Sequence, residues 1–210
     1  MFKQRVVFVH GPGASGSAAW TKQHGMALAY DALFLRRHGF GLPAEPLESN
    51  ASAKPVESKP LDFQADARIV LGALADEGRG AAGGHVVAHS QGAIGAMMAA
   101  VERPDLVFSL TLVEPACLSL TADLPATAAH RAQMPECAAA PLQIVPGVPT
   151  LVLTGGWEPL YEEIAGYLRE TGALHRVAAG GHRPQDSAEG DRYIRSFITE
   201  VSRRQHARAS

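Results

Sequence analysis

Short runs of β-branched and aliphatic residues alternate along the chain with longer segments of helical spacing. Runs at Arg5–Val9, Ala32–Leu35, His85–Ala88, Val107–Val113, Pro149–Thr154 and Leu174–Ala178 predict six strands, most of them apolar enough to be covered on both sides. The segments between them predict helices near Ser17–Ala29, over Leu61–Ala75, Gln91–Val101 and Leu160–Glu170, and a short one around Ala126–Gln133. Over Leu61–Ala75 the residues Phe63, Ala67, Val70, Leu71 and Leu74 share one stripe, with Asp62 placed to cap the start. A final helix carries Tyr193, Ile194, Phe197, Ile198 and Val201 on one face.

Strand–helix alternation through the whole chain predicts an α/β fold: a doubly wound, mainly parallel sheet of about six strands with helices on both faces. The 210 residues form one domain, with a small lid-like insertion around 115–148. The stretch His38–Pro60, broken by Pro43, Pro46, Pro55 and Pro60, is a connection of unusual length. In such sheets the reactive groups collect in loops beyond the carboxyl ends of the strands.

Composition narrows the class. Hydrophobic residues make up 46% of the chain and charged ones 19%, which excludes a disordered protein. A net charge of −2 with no basic run leaves no footprint for nucleic acid. The longest apolar runs, such as Val6–Val9 and Thr150–Leu153, are far short of the ~20 residues that span a bilayer. The apolar run after Met1–Arg5 is also too short for a secretory leader, so a cytoplasmic protein is expected. Cys117 and Cys137 then read as idle thiols rather than a disulfide, and their spacing fits no zinc framework. No metal and no organic cofactor is expected.

The sharpest local signal is Val86-Val87-Ala88-His89-Ser90-Gln91-Gly92. A strand runs straight into a serine, and a helix of small residues follows at once. That is the setting of a nucleophile elbow, G-x-S-x-G, with alanine in place of the first glycine. The tight turn demands small residues two before and two after, exposes the hydroxyl, and leaves the Gln91 amide at a helix N-terminus, where it can donate to a developing oxyanion. The ordinary alternative is that Ser90 only caps the helix.

A serine nucleophile needs a base, and His182 follows the last strand in Gly180-Gly181-His182-Arg183-Pro184. The base needs a carboxylate, and two strand ends offer one. Glu114 ends Leu110-Thr111-Leu112-Val113; Glu158 lies in Gly155-Gly156-Trp157-Glu158-Pro159 after Leu151–Thr154. Each also has an ordinary reading, Glu158 at the positive end of a helix and Glu114 as a solvated strand terminus.

Taken together, the His10-Gly11 loop, the Ala88–Gly92 elbow, a strand-end acid and Gly181-His182 resemble the α/β-hydrolase superfamily over nearly the whole chain. The resemblance implies a minimal form lacking the usual first two strands. Ser90 with Val113-Glu114-Pro115-Ala116 is similar to a smaller group of bacterial esterases whose acid is a glutamate after the sixth strand, which favours Glu114, with Glu158 the alternative. Relatives take a second oxyanion donor from the residue after the first His-Gly. Here that residue is Pro12, which has no N–H, so the donor shifts to Gly13 or Ala14.

The resemblance implies a serine hydrolase cleaving a carboxylic ester of a small, largely uncharged substrate through an acyl-enzyme. Its implied groups are Ser90, His182 and Glu114, with Gln91 and Gly13 as the oxyanion hole. Leu118, Leu120, Leu124 and Met134 are candidates for an apolar lid wall. The competing readings are a ligand-binding protein with little or no turnover on the same scaffold, or an acyltransferase or thioesterase.

Overall fold

The computed structural model describes residues 3–40, 61–75, 82–134 and 140–209. Six parallel strands, β1 (Arg5–Val9), β2 (Asp31–Leu35), β3 (Gly84–His89), β4 (Val107–Val113), β5 (Thr150–Thr154) and β6 (Leu174–Val177), lie in the order β2-β1-β3-β4-β5-β6. The chain winds outward one way from β1 to β2 and the other way from β3 onward. The direction therefore switches between β1 and β3, where doubly wound sheets open a crevice at their carboxyl edge.

Alternation along the strands builds two cores. Val7, Val9, Val86, Ala88, Leu110, Leu112 and Val152 face one side, where they meet α1 (Phe63–Ala75), α2 (Gly92–Glu102) and α4 (Pro159–Glu170). Val6, Phe8, Val87, Val113 and Leu153 face the other, against Trp20, Met26 and the Ile194 and Ile198 of α5 (Ala188–Ala209). The expected stripe on α1 is buried at Phe63, Ala67, Val70 and Leu74, and Asp62 Oδ1 accepts the Ala65 amide at 2.8 Å as the expected cap. Among the described residues no helix is long and apolar enough to cross a membrane.

One element differs in kind. The segment expected as a helix near Ser17–Ala29 forms two 3₁₀ stretches, Gly16–Ala19 and Thr21–Leu28. Ala19, Trp20, Gln23 and Met26 are buried within this segment, and the last three, spaced by three, lie along one line in a three-residue turn.

The 115–148 stretch contains a 3₁₀ turn, Leu118–Thr121, and α3 (Pro125–Gln133). Glu163 of α4 ties α3 down, accepting the Ala126 and Thr127 amides at 2.9 and 2.8 Å. Leu118 is buried in the first core and Leu120 packs against it, so neither lines a separate wall, whereas Leu124 and Met134 are exposed. Cys117 is a free, buried thiol that burial pushes up to about 12. Cys137, Gly78–Gly80 and residues 41–60 of the long connection lie outside the described residues.

A buried ion pair joins the end of β2 to α1. Arg37 Nε meets Asp66 Oδ2 at 2.7 Å, and Asp66 Oδ1 accepts the His38 amide at 2.8 Å. The guanidinium lies 5.2 Å from the Phe40 ring and 5.7 Å from the Phe63 ring.

Candidate active site

Ser90 stands between β3 and α2 with φ +52°. That left-handed backbone costs a residue with a side chain ~1–2 kcal/mol, so the surrounding contacts must hold it. The Ser90 amide donates to Val113 O at 2.9 Å, and its carbonyl accepts from Ala93 and Ala116 at 3.1 and 3.2 Å. The turn is as crowded as expected. A Cβ at Gly92 would lie 2.6 Å from His10 O, and one at Gly11 would lie 2.9 Å from Ser90 Cβ; Ala88 is wholly buried.

Glu114 follows β4 as Ser90 follows β3, one register step beyond the His89–Val113 pair. Among the described residues these two are the non-glycines with positive φ, Glu114 at +44°. The Glu114 amide bonds to Leu153 O at 2.9 Å, and its carboxylate is fully buried. Oε1 accepts the Gly155 amide at 2.6 Å and Oε2 the Trp157 indole N–H at 2.9 Å. Buried carboxylates need such donors to remain tolerable.

His182 lies in the loop after β6, and its Nδ1 stands 3.4 Å from Glu114 Oε2. This is an ion-pair distance without hydrogen-bond geometry, and Nδ1 itself is shielded from solvent. Gly180 and Gly181, at φ +136° and +56°, give the loop its bend in conformations suited to glycine. Gly155 lets that bend approach: a Cβ there would fall 2.1 Å from Gly181 O. Arg183 anchors the far side through Asp186 and the Ala19 carbonyl.

Glu158, the alternative acid, is the residue preceding α4 and contributes its carbonyl to the first turn. Its carboxylate makes no ion pair among the described residues. The carboxylate beside His182 is that of Glu114, and the β5–α4 loop contributes donors to it rather than an acid.

Two side chains that sequence reasoning passed over sit at the centre of the site. His89 Nε2 bonds to the His182 carbonyl at 2.8 Å, so that nitrogen carries the proton. Burial, helped by the nearby His182, pushes His89 down to about 3, and it is neutral. Its position directly before Ser90 was the available signal. Trp157 had none, because its role depends on a loop meeting a distant strand end.

On the oxyanion side, Gln91 immediately precedes α2, and its amide has no acceptor among the described residues. Gly13 has φ +91° on an exposed loop, with open space around it. His10 shapes that loop. Its Nδ1–H donates to Gly11 O at 2.7 Å, its Nε2 accepts the Arg37 amide at 3.2 Å, and burial holds its pKa down. Among the described residues no group of His, Cys, Asp and Glu is arranged to hold a metal. A cavity of about 330 Å³ lies at the opposite edge of the sheet, lined by Leu110, Ile144, Thr150 and Leu168, and none of the site residues reaches it.

Residues 6–144 match the model of a family described as the alpha/beta hydrolase family, a stretch that contains Ser90 and Glu114 and ends before His182. No curated protein matches the sequence. Among solved structures, a membrane phospholipase A described as a bacterial virulence factor superposes with a TM-score of 0.65 at 18% identity, covering 95% of this chain and 80% of that one. NosK from Streptomyces actuosus gives 0.60 at 22% identity, covering 95% and 99%. A thermophilic esterase from Thermogutta terrifontis gives 0.60 at 16% identity, covering 95% and 91%. At these identities the likeness is one of fold.

Proposed function

Because the chain belongs to the alpha/beta hydrolase family, we propose that it is a serine hydrolase cleaving a carboxylic ester of a small, largely uncharged substrate. The observation that carries this reading is the pairing of two left-handed residues at adjacent strand ends. Ser90 is held in a strained turn at the start of α2, and the buried Glu114 carboxylate lies 3.4 Å from the imidazole of His182. Strain kept at a serine, one strand end away from a carboxylate–histidine pair, serves chemistry better than it serves packing.

In the proposed cycle Ser90 Oγ attacks the ester carbonyl while His182 Nε2 takes its proton. Glu114 keeps the Nδ1 tautomer in place and balances the imidazolium. The Gln91 amide and an amide of the Gly13 loop stabilise the tetrahedral oxyanion. Collapse expels the alcohol with the proton from His182, leaving an acyl-serine. Water then attacks, gives its proton to His182, and releases the acid as Ser90 regains its hydrogen.

The test is fluorophosphonate labelling and hydrolysis of short p-nitrophenyl esters by the wild type and Ser90→Ala. Label confined to Ser90, with turnover lost in the variant, is expected. Equal hydrolysis by both proteins would leave the scaffold a binding module.

A further inference from the structure

Glu114 has no exposed surface, and both of its oxygens are held by one loop, the turn between β5 and α4. The Gly155 amide holds Oε1. The indole N–H of Trp157 holds Oε2, the same oxygen that faces His182 Nδ1. Trp157 is otherwise a surface residue, 51% exposed, so burial of its ring does not account for its position. Its one polar atom is turned inward onto a buried carboxylate. The ring lies edge-on to His182 at 6.2 Å and 6.1 Å from Tyr161, whose own ring is 5.2 Å from the imidazole.

We propose that Trp157 is a positioning residue for the reaction described above: its N–H locks Oε2 of Glu114 in the orientation that selects the Nδ1–H tautomer of His182. The inference rests on the Ser90–His182–Glu114 reading. The physical need is specific. Oε1 is fixed by a backbone amide, so the carboxylate is free only to turn about its own axis, and a second donor at Oε2 removes that freedom. Nδ1 stands 3.4 Å from Oε2 without hydrogen-bond geometry, so the imidazole can close that gap into a hydrogen bond only on an oxygen that stays where it is. The hydrogen bond also offsets the cost of a buried charge, and bonds to charged groups are among the stronger ones in proteins.

The experiment compares the wild type with Trp157→Phe and Trp157→Ala in the full chain. It measures steady-state hydrolysis of p-nitrophenyl butyrate and the His182 tautomer by ¹⁵N NMR of histidine-labelled protein. Removing the N–H while keeping a ring is expected to lower kcat about ten- to a hundredfold, leave KM within about twofold, and mix the Nδ1–H and Nε2–H tautomers. Trp157→Ala should fall at least as far. An unchanged kcat and tautomer in Trp157→Phe overturns the inference, as does a rise in KM alone. A loss seen only in Trp157→Ala also overturns it, because the ring and not the N–H would then be the active part. Glu114→Gln separates this failure from that of the underlying reading. If that variant is inactive while Trp157→Phe is normal, only the role of Trp157 falls; if it retains full turnover, the Ser–His–Glu assignment falls.

Discussion

The ring of His89 holds the backbone of His182, its Nε2–H reaching the His182 carbonyl at 2.8 Å. The residue before the candidate nucleophile thus supports the candidate base across 93 positions of sequence. His89→Phe removes the donor and leaves a partly buried carbonyl unpaired, a loss worth ~1 kcal/mol. We expect slower fluorophosphonate labelling and a lower melting temperature, with His89→Gln, which keeps an N–H donor, closer to wild type. Equal labelling by wild type and His89→Phe would show that the contact is idle.

The two acids make opposite predictions. Glu114 meets two donors, so Glu114→Gln turns an amide NH₂ toward one of them, breaking a bond and misdirecting His182. Labelling of Ser90 should slow by roughly a hundredfold or more, the scale of a lost general base. Glu158→Gln should stay within about twofold, since its backbone carbonyl and not its carboxylate serves the first turn of α4. The reverse ranking would transfer the acid's role to Glu158.

Gly155→Ala tests how closely two loops must approach. The added methyl would fall 2.1 Å from Gly181 O and force the His182 loop away from Glu114. Near-normal far-UV circular dichroism with most activity lost is expected, together with ~1–3 kcal/mol of destabilisation from overpacking. Retention of full activity would mean that the loop after β6 tolerates displacement.

Stability should fall on mild acidification. His85 bonds through both ring nitrogens to Ser109 and Ser202, at 2.8 and 3.0 Å, and burial pushes it down to about 4; His89 is pushed down to about 3. Unfolded, both protonate near the ordinary ~6.5. Below that pH the unfolded chain binds protons that the folded one refuses, so stability is complete above about 6.5 and declines as pH falls toward 4. The slope is roughly 1 kcal/mol per pH unit for each ring, and below about 4 only His89 continues to contribute. Urea midpoints at pH 7.5 and pH 5 measure this, and identical values would contradict two neutral buried imidazoles.

Asp66→Ala strands the Arg37 guanidinium, whose side chain is 1% exposed. Breaking one side of a buried pair costs ~3–5 kcal/mol. Chemical denaturation should register a loss of that order, and a loss under ~1 kcal/mol would mean that the Phe40 and Phe63 rings suffice for the cation.

The strands were legible because β-branched runs between turn residues admit few alternatives, and Ser90 was legible because strand, serine and small-residue helix are contiguous. The Ser17–Ala29 segment misled because its residues satisfy a helical composition, whereas what Ala19, Trp20, Gln23 and Met26 meet comes from distant parts of the chain. The neighbours of Glu114 were out of reach for the same reason. Its partners come from positions 155, 157 and 182, brought to it by strand order and not by any local pattern. His89 could be seen beside Ser90, but its hydrogen bond to the last loop could not.

The sheet is laid down in an order that matters for a growing polypeptide. Ser90 and Glu114 follow strands made early, while His182 follows β6, an edge strand made last, which pairs with β5. A ribosome-bound chain that has emerged only as far as α4 carries the hydroxyl and the acid without an imidazole to awaken them. On the proposed triad, reactivity therefore waits for the loop after β6, and a translation product stalled before that loop would lack its base.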